Sequence, residues 1–203
     1  MGRLDPLAVR KTWIFLGAIA TAELAWLLFQ LGPFLRAVTL REGDIPTVGW
    51  IAALVVAAGT IAYSVRALNL GPYMTNVSTF RLLGLFIAVP SAIVEETVFR
   101  GTVMTLLARA GQGDVVQVVV SALVFGIVHA VWGLRGGWRS FVGAVTATSI
   151  LGALLAVVYL LSERALLTCV VAHFLINIAL EPWLGYAFAL RAQGTSVNRS
   201  TAA

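Results

Sequence analysis

The chain has 203 residues, 60% of them hydrophobic and 11% charged, with a mean hydropathy of +0.93 and a formal net charge of +5. Soluble domains carry about a quarter charged residues, so this composition excludes an ordinary soluble protein and points to one built into a membrane. The positive charge is then a topology signal, no nucleic-acid partner is expected, and the single cysteine, Cys169, excludes an internal disulfide.

Apolar runs long enough to cross a bilayer, at about 20 residues each, fall near Trp13–Phe34, Gly49–Tyr63, Leu82–Ala108, Val115–Val131, Phe141–Leu161 and Ala165–Leu180. The expected fold is all-α: a polytopic transmembrane bundle of about six spans enclosing a polar cavity. The first run follows Arg10-Lys11 as a signal peptide would. It is long for that role, contains Glu23 and lacks a small-x-small cleavage site before Leu31, so a retained helix is expected. Glu23 receives no role at this level. Breakers mark the loops: Gly43-Asp44-Ile45-Pro46, Gly71-Pro72, Gly111-Gln112-Gly113-Asp114 and Gly136-Gly137. Trp13, Trp50, Trp132 and Trp138 lie near span ends, where an amphipathic ring prefers the headgroup level.

The stretch Arg81–Arg109 exceeds what a perpendicular helix needs, so it tilts or kinks at Pro90. Proline leaves one carbonyl unbonded, which is tolerable where neighbours or water satisfy it. A wet cavity is therefore expected just over one turn before Glu95. The last span is expected to end at Glu181-Pro182, with Trp183–Leu190 lying along the interface and Glu181 marking the helix end. Residues 1–192 form a single integral-membrane domain in this reading, and 193–203 a polar, disordered tail. Placing both termini in the cytoplasm puts nine of the fourteen Lys and Arg residues inside and four outside, with Arg100 within a span.

Polar groups inside the spans form a short set. Glu95 and Glu96 are adjacent, and Glu96 and Arg100 have the i, i+4 spacing, acid first, of a favourable helical ion pair. Glu95 is turned about 100° away on the helix and faces elsewhere. The chain's two histidines both fall in apolar spans: His129 closes Phe125-Gly-Ile-Val-His129, and His173 opens His173-Phe-Leu-Ile-Asn177, which puts His173 and Asn177 on one face. A charge at bilayer depth costs at least a few kcal/mol, so ionisable groups there are functional candidates. A lone buried histidine or a helical ion pair is more often structural; the argument rests on all of them falling in spans together. Glu95 could act as general base on a water shared with an imidazole, while His173 and Asn177 donate hydrogen bonds to a developing oxyanion. Those are the parts for peptide-bond hydrolysis or acyl transfer.

Glu95-Glu96-x-x-x-Arg100, Phe125-x-x-x-His129 and His173-x-x-x-Asn177, in that order, resemble the CPBP family, the CAAX-protease and bacteriocin-processing intramembrane glutamic proteases also called Abi. Gly101 after Phe99-Arg100 also fits the family pattern, and the resemblance covers about residues 81–180, the expected protease core. It implies that Glu95 activates water with help from His129, that His173 and Asn177 form the oxyanion hole, and that Glu96 and Arg100 support the geometry. It implies an intramembrane endopeptidase with no cofactor. The substrate would be a peptide or protein, prenylated or with a C-terminal sorting tail, and the enzyme would sit in a bacterial or archaeal plasma membrane.

Rival readings are open on the residues. Glu95, His129 and His173 could ligate zinc, two His and one carboxylate being a known catalytic set, though no His-Glu-x-x-His occurs. Cys169 shares a helix face with His173 and could be a nucleophile, against the blander reading of a small buried apolar residue. No Gly-x-Ser-x-Gly motif or intramembrane aspartate supports a serine or aspartyl protease. Outside enzymology, the chain could be a proton or ion carrier, or a catalytically silent scaffold or immunity-type relative. Intact motifs argue against the silent reading, and the lack of paired transporter repeats against the carrier.

Overall fold

In lipid a backbone must satisfy its own hydrogen bonds, which leaves the helix or the closed barrel. The computed structural model of the protein takes the helical solution. It describes residues 6–39, 44–68, 70, 79–130 and 137–192, and no strand occurs among them. The rods are α1 (Pro6–Thr39), α2 (Thr47–Ala67), α3 (Thr79–Glu96), α4 (Asp114–His129), α5 (Gly137–Leu161) and α6 (Leu166–Ala192). The first, second and fifth contain stretches long and apolar enough to cross a membrane, namely Trp13–Gln30, Thr47–Ala67 and Gly137–Leu161. Asp114–His129 and Leu166–Pro182 are apolar but shorter. Leu28, Phe29, Val55, Ile127 and Val128 all lie open on the outside. An apolar surface of that extent suits hydrocarbon rather than water. The protein is integral to the membrane.

α3 continues without a break into a π-helical segment, Thr97–Met104, and a last α-helical piece, Thr105–Arg109. Sequence reasoning leaves this stretch to tilt or to kink at Pro90. The helix runs on through Pro90, and wider turns come just after the tandem glutamates. A π segment misaligns the backbone ladder, and side chains take up the slack. Ser121 of α4 donates to the Phe99 carbonyl at 3.1 Å, and Thr102 donates to the Thr97 carbonyl at 3.1 Å.

The helix end expected at Glu181 is not found: α6 carries Pro182 inside it and continues to Ala192. Gly84 of α3 lies directly opposite, so close that a Cβ on it would sit 2.8 Å from the Pro182 nitrogen. Residues 183–190, expected at the interface, are helical and continuous with the preceding turns. The tail 193–203, Gly43, Gly71-Pro72 and Trp132 lie outside the described residues.

The helices close on small residues. α3 packs against α1 and α6, α4 against α5, and α2 against α5 and α6. The core joins Ala53 and Ala57 of α2, Leu155, Ala156 and Val158 of α5, and Cys169, Ala172 and Ile176 of α6. Without a hydrophobic force between helices in lipid, close approach through small residues is the main source of cohesion. The α4–α5 crossing shows it best. A Cβ on Gly126 would lie 1.9 Å from Ser149 Oγ and 2.8 Å from the Val145 carbonyl oxygen, and one on Gly152 would lie 3.1 Å from the Ala122 Cα. The serine hydroxyl can rotate away, but the Val145 carbonyl cannot. Gly126→Ala is accordingly expected to destabilise the protein by about 1–3 kcal/mol, the cost of overpacking a fitted contact. A thermal melt in detergent micelles reads that loss. Gly143→Ala, with nothing within 4 Å of its added Cβ, is the matched control.

Candidate active site

The site is assembled on three helices, α3, α4 and α6, and its residue types explain why they turn inward. On α4 the residues Gln117, Ser121, Phe125 and His129 recur every fourth position, and the first three are buried while the valine-rich opposite face is exposed. That stripe is the amphipathic face of an otherwise apolar helix. It delivers His129 to the bundle interior at the end of the helix.

At the centre is a buried ion pair. Arg100 Nη1 donates to Glu96 Oε1 at 3.0 Å, and both side chains are fully buried. His173 of α6 donates from Nδ1 to the same oxygen at 2.6 Å. The second guanidinium arm, Nη2, reaches the Gly152 carbonyl of α5 at 2.8 Å, which the missing side chain at Gly152 leaves accessible. Arg100 therefore joins α3 to α5, and Glu96 joins α3 to α6. The π segment carries Arg100, so the irregular turn places a guanidinium between two helices. Phe125 lies under the group: its ring is 5.0 Å from the Arg100 guanidinium carbon, stacks on His129 at 4.2 Å and meets His173 edge-on at 5.9 Å.

Glu95 faces a different side, as its position on the helix requires. Its Oε2 lies 3.4 Å from His129 Nε2 and 3.7 Å from His173 Nε2. That oxygen is buried and has no hydrogen-bond partner within the protein. The other nitrogen of each ring is committed. His129 Nδ1 donates to the Phe125 carbonyl at 2.8 Å, and His173 Nδ1 donates to Glu96. A carbonyl can only accept, so the hydrogen of His129 sits on Nδ1. Both Nε2 atoms are thereby turned toward one carboxylate oxygen, at separations longer than a good hydrogen bond. Asn177 is buried one turn beyond His173 on α6.

The structure thus brings Glu95, Glu96, Arg100, His129 and His173 into direct contact, with Asn177 adjacent on the helix that bears His173. Cys169 is not part of the group. Its thiol donates to the Leu155 carbonyl at 3.4 Å, while both nitrogens of His173 face glutamates. Among the described residues no three His, Cys, Asp or Glu side chains are disposed to hold a metal ion.

Five residues beside the site receive no part in its chemistry from sequence reasoning. Phe125 matters through its ring and carbonyl as well as its place in a motif, and its i, i+4 relation to His129 is the signal. Gly152 matters through its carbonyl, and nothing in its sequence neighbourhood marks it. Ser91, buried one turn before Glu95, donates to Glu23 Oε2 of α1 at 2.7 Å. Glu23 is close enough to Glu95, His129 and His173 to interact with them electrostatically. Glu181 on α6 is likewise within reach of Glu95 and Glu23, and its Oε2 is buried with no hydrogen-bond partner.

Comparisons with known proteins bear on the same segment. No curated protein and no solved structure matches the chain. A family model does match, described as type II CAAX prenyl endopeptidase Rce1-like, over residues 77–179. That segment is about half the chain and contains Glu95, Glu96, Arg100, His129, His173 and Asn177. The chain belongs to the Rce1-like type II CAAX prenyl endopeptidases, a family of membrane-embedded proteases.

Proposed function

We propose that the protein is an intramembrane endopeptidase of glutamic type. In this reading it hydrolyses a peptide bond near the C-terminus or the membrane-proximal part of its substrate. The observation that carries the reading is the convergence of two imidazole Nε2 atoms on the single oxygen Glu95 Oε2, with each Nδ1 already held by another partner. Such a centre can take a proton and pass it on. Glu95 removes a proton from water as the water oxygen attacks the scissile carbonyl carbon, and His129 orients that water through Nε2. The carbonyl oxygen becomes an oxyanion, accepted by N–H donors of His173 and Asn177. Collapse breaks the C–N bond, and the departing amine takes the proton held by Glu95.

Glu96 and Arg100 form a buried pair at 3.0 Å, and buried charges are tolerated when paired in this way. Glu96 and Arg100 fix the array and do not themselves touch substrate. Phe125 supplies the apolar floor that sets both rings.

The reading includes no metal. It places about six spans in a prokaryotic plasma membrane with both termini cytoplasmic, residues 1–192 forming one domain. The family name favours a prenylated C-terminal peptide as substrate. The test is a panel of membrane-presented peptides, prenylated, unprenylated and carrying C-terminal sorting tails, with cleavage sites read by mass spectrometry. Endoproteolysis near the C-terminus of at least one class is the expected result. Asn177→Ala should retain binding while lowering kcat by about 10²–10³-fold, the usual cost of one oxyanion donor. An Asn177→Ala enzyme with wild-type kcat would remove that residue from the oxyanion hole.

A further inference from the structure

Glu23, like Glu181, lies outside the family-matched segment 77–179 yet within electrostatic reach of Glu95. It lies on α1, which packs against α3 and α6; nearby, Ala20 is buried against Ile87 of α3, with Trp13 and Leu16 beside them. An apolar residue at position 23 would serve such a contact at lower cost, since a carboxylate at bilayer depth costs at least a few kcal/mol. Glu23 nonetheless accepts a hydrogen bond from Ser91 Oγ at 2.7 Å. Ser91 is 3% exposed, follows Pro90 directly, and precedes Glu95 by four residues on the same helix.

That position is mechanically special. Pro90 has no N–H, so the α3 ladder lacks one bond where the helix approaches the tandem glutamates. A helix bends most readily at such a point. The residue immediately after the gap is the one that α1 fastens. One turn further on, Glu95 Oε2 must hold its place between two imidazoles at 3.4 and 3.7 Å.

We propose that Glu23 is a positioning residue of the active site: through Ser91 it clamps the proline-weakened turn of α3 and so holds Glu95 in register with His129 and His173. The inference rests on the reading of Glu95 as the catalytic base. A displacement of about 1 Å at a reacting group can cost roughly 10²-fold in rate, and this bond prevents such a displacement. α1 is then part of the working enzyme although the family match begins after it.

The test compares Glu23→Ala, Glu23→Gln, Ser91→Ala and the double alanine variant, each in detergent micelles, with wild type and Glu95→Gln alongside. Loss of the clamp should lower kcat by about 10–100-fold with little change in KM. Glu23→Gln should recover most of that activity, because the amide oxygen still accepts from Ser91. The double variant should be no worse than either single one, since both remove the same bond. Backbone hydrogen exchange over residues 87–95 reads the clamp without substrate: it should quicken in Glu23→Ala and Ser91→Ala but not in Glu23→Gln. The proposal is overturned by wild-type kcat in Glu23→Ala, by single-variant losses that multiply in the double, by a Gln variant as poor as Ala, or by unaltered exchange. Full activity of Glu95→Gln would sink the base assignment instead, and the exchange comparison would still decide whether the clamp exists.

Discussion

Glu95→Gln is expected to lower kcat by about 10²–10⁴-fold, the range of a lost general base, while leaving the fold intact. The two halves of that statement have separate grounds. The amide keeps the shape of the carboxyl group but cannot take a proton from water. Stability is largely spared because Glu95 Oε2 stands 3.4 and 3.7 Å from the two imidazoles, longer than a good hydrogen bond, and the amide fills the same space. KM should change little, because the carboxylate acts on the water and not on the bulk of the peptide. Equal melting temperatures with a collapsed kcat are the expected pattern. A comparable fall in both would mean that Glu95 is structural.

Arg100→Leu is expected to show the reverse pattern, unfolding the protein before activity can be assessed. Removing one partner of a buried ion pair costs about 3–5 kcal/mol, because the remaining charge is left without compensation. Glu96 would keep only the His173 bond at 2.6 Å, and the α5 carbonyl of Gly152 would lose its donor. Phe125 would lose the cation 5.0 Å above its ring. Arg100→Lys should recover part of the loss, since an ammonium can meet Glu96 but has no fork to reach Gly152 as well. The double change Glu96→Leu with Arg100→Leu should be milder than Arg100→Leu alone, as apolar replacement of a whole buried pair often is. Denaturation in mixed micelles, followed by helical circular dichroism, gives the order of the three variants. If Arg100→Leu melted like wild type, the pair would not be holding α3 to α5.

The helical class and the residues that cluster as a candidate site were legible because lipid makes both conspicuous. Long apolar runs have few backbone solutions in a membrane, and a glutamate, arginine or histidine among them is visible at once. The i, i+4 spacing of Glu96 and Arg100 also foretold their contact, since neighbours on a helix face need no tertiary information. What could not be read depended on partners distant in sequence. Pro182 looks like a stop until Gly84 of α3 is found against it. The π segment follows from no local propensity and shows only in how Phe99 and Thr97 carbonyls find hydroxyl donors. Glu23 and Ser91 are 68 positions apart, and neither residue alone signals the bond between them. Gly152 contributes a carbonyl, and a backbone atom leaves no trace in the sequence.

The central claim is hydrolysis by a glutamate-activated water without a metal. Its most direct test is cleavage of a prenylated C-terminal peptide by purified wild-type protein in excess strong chelator, beside Glu95→Gln under the same conditions. The account predicts undiminished cleavage by wild type and almost none by Glu95→Gln. Loss of wild-type activity in chelator that zinc restores would contradict it and make His129, His173 and Glu95 a metal shell, and cleavage by Glu95→Gln at the wild-type rate would contradict it in any form.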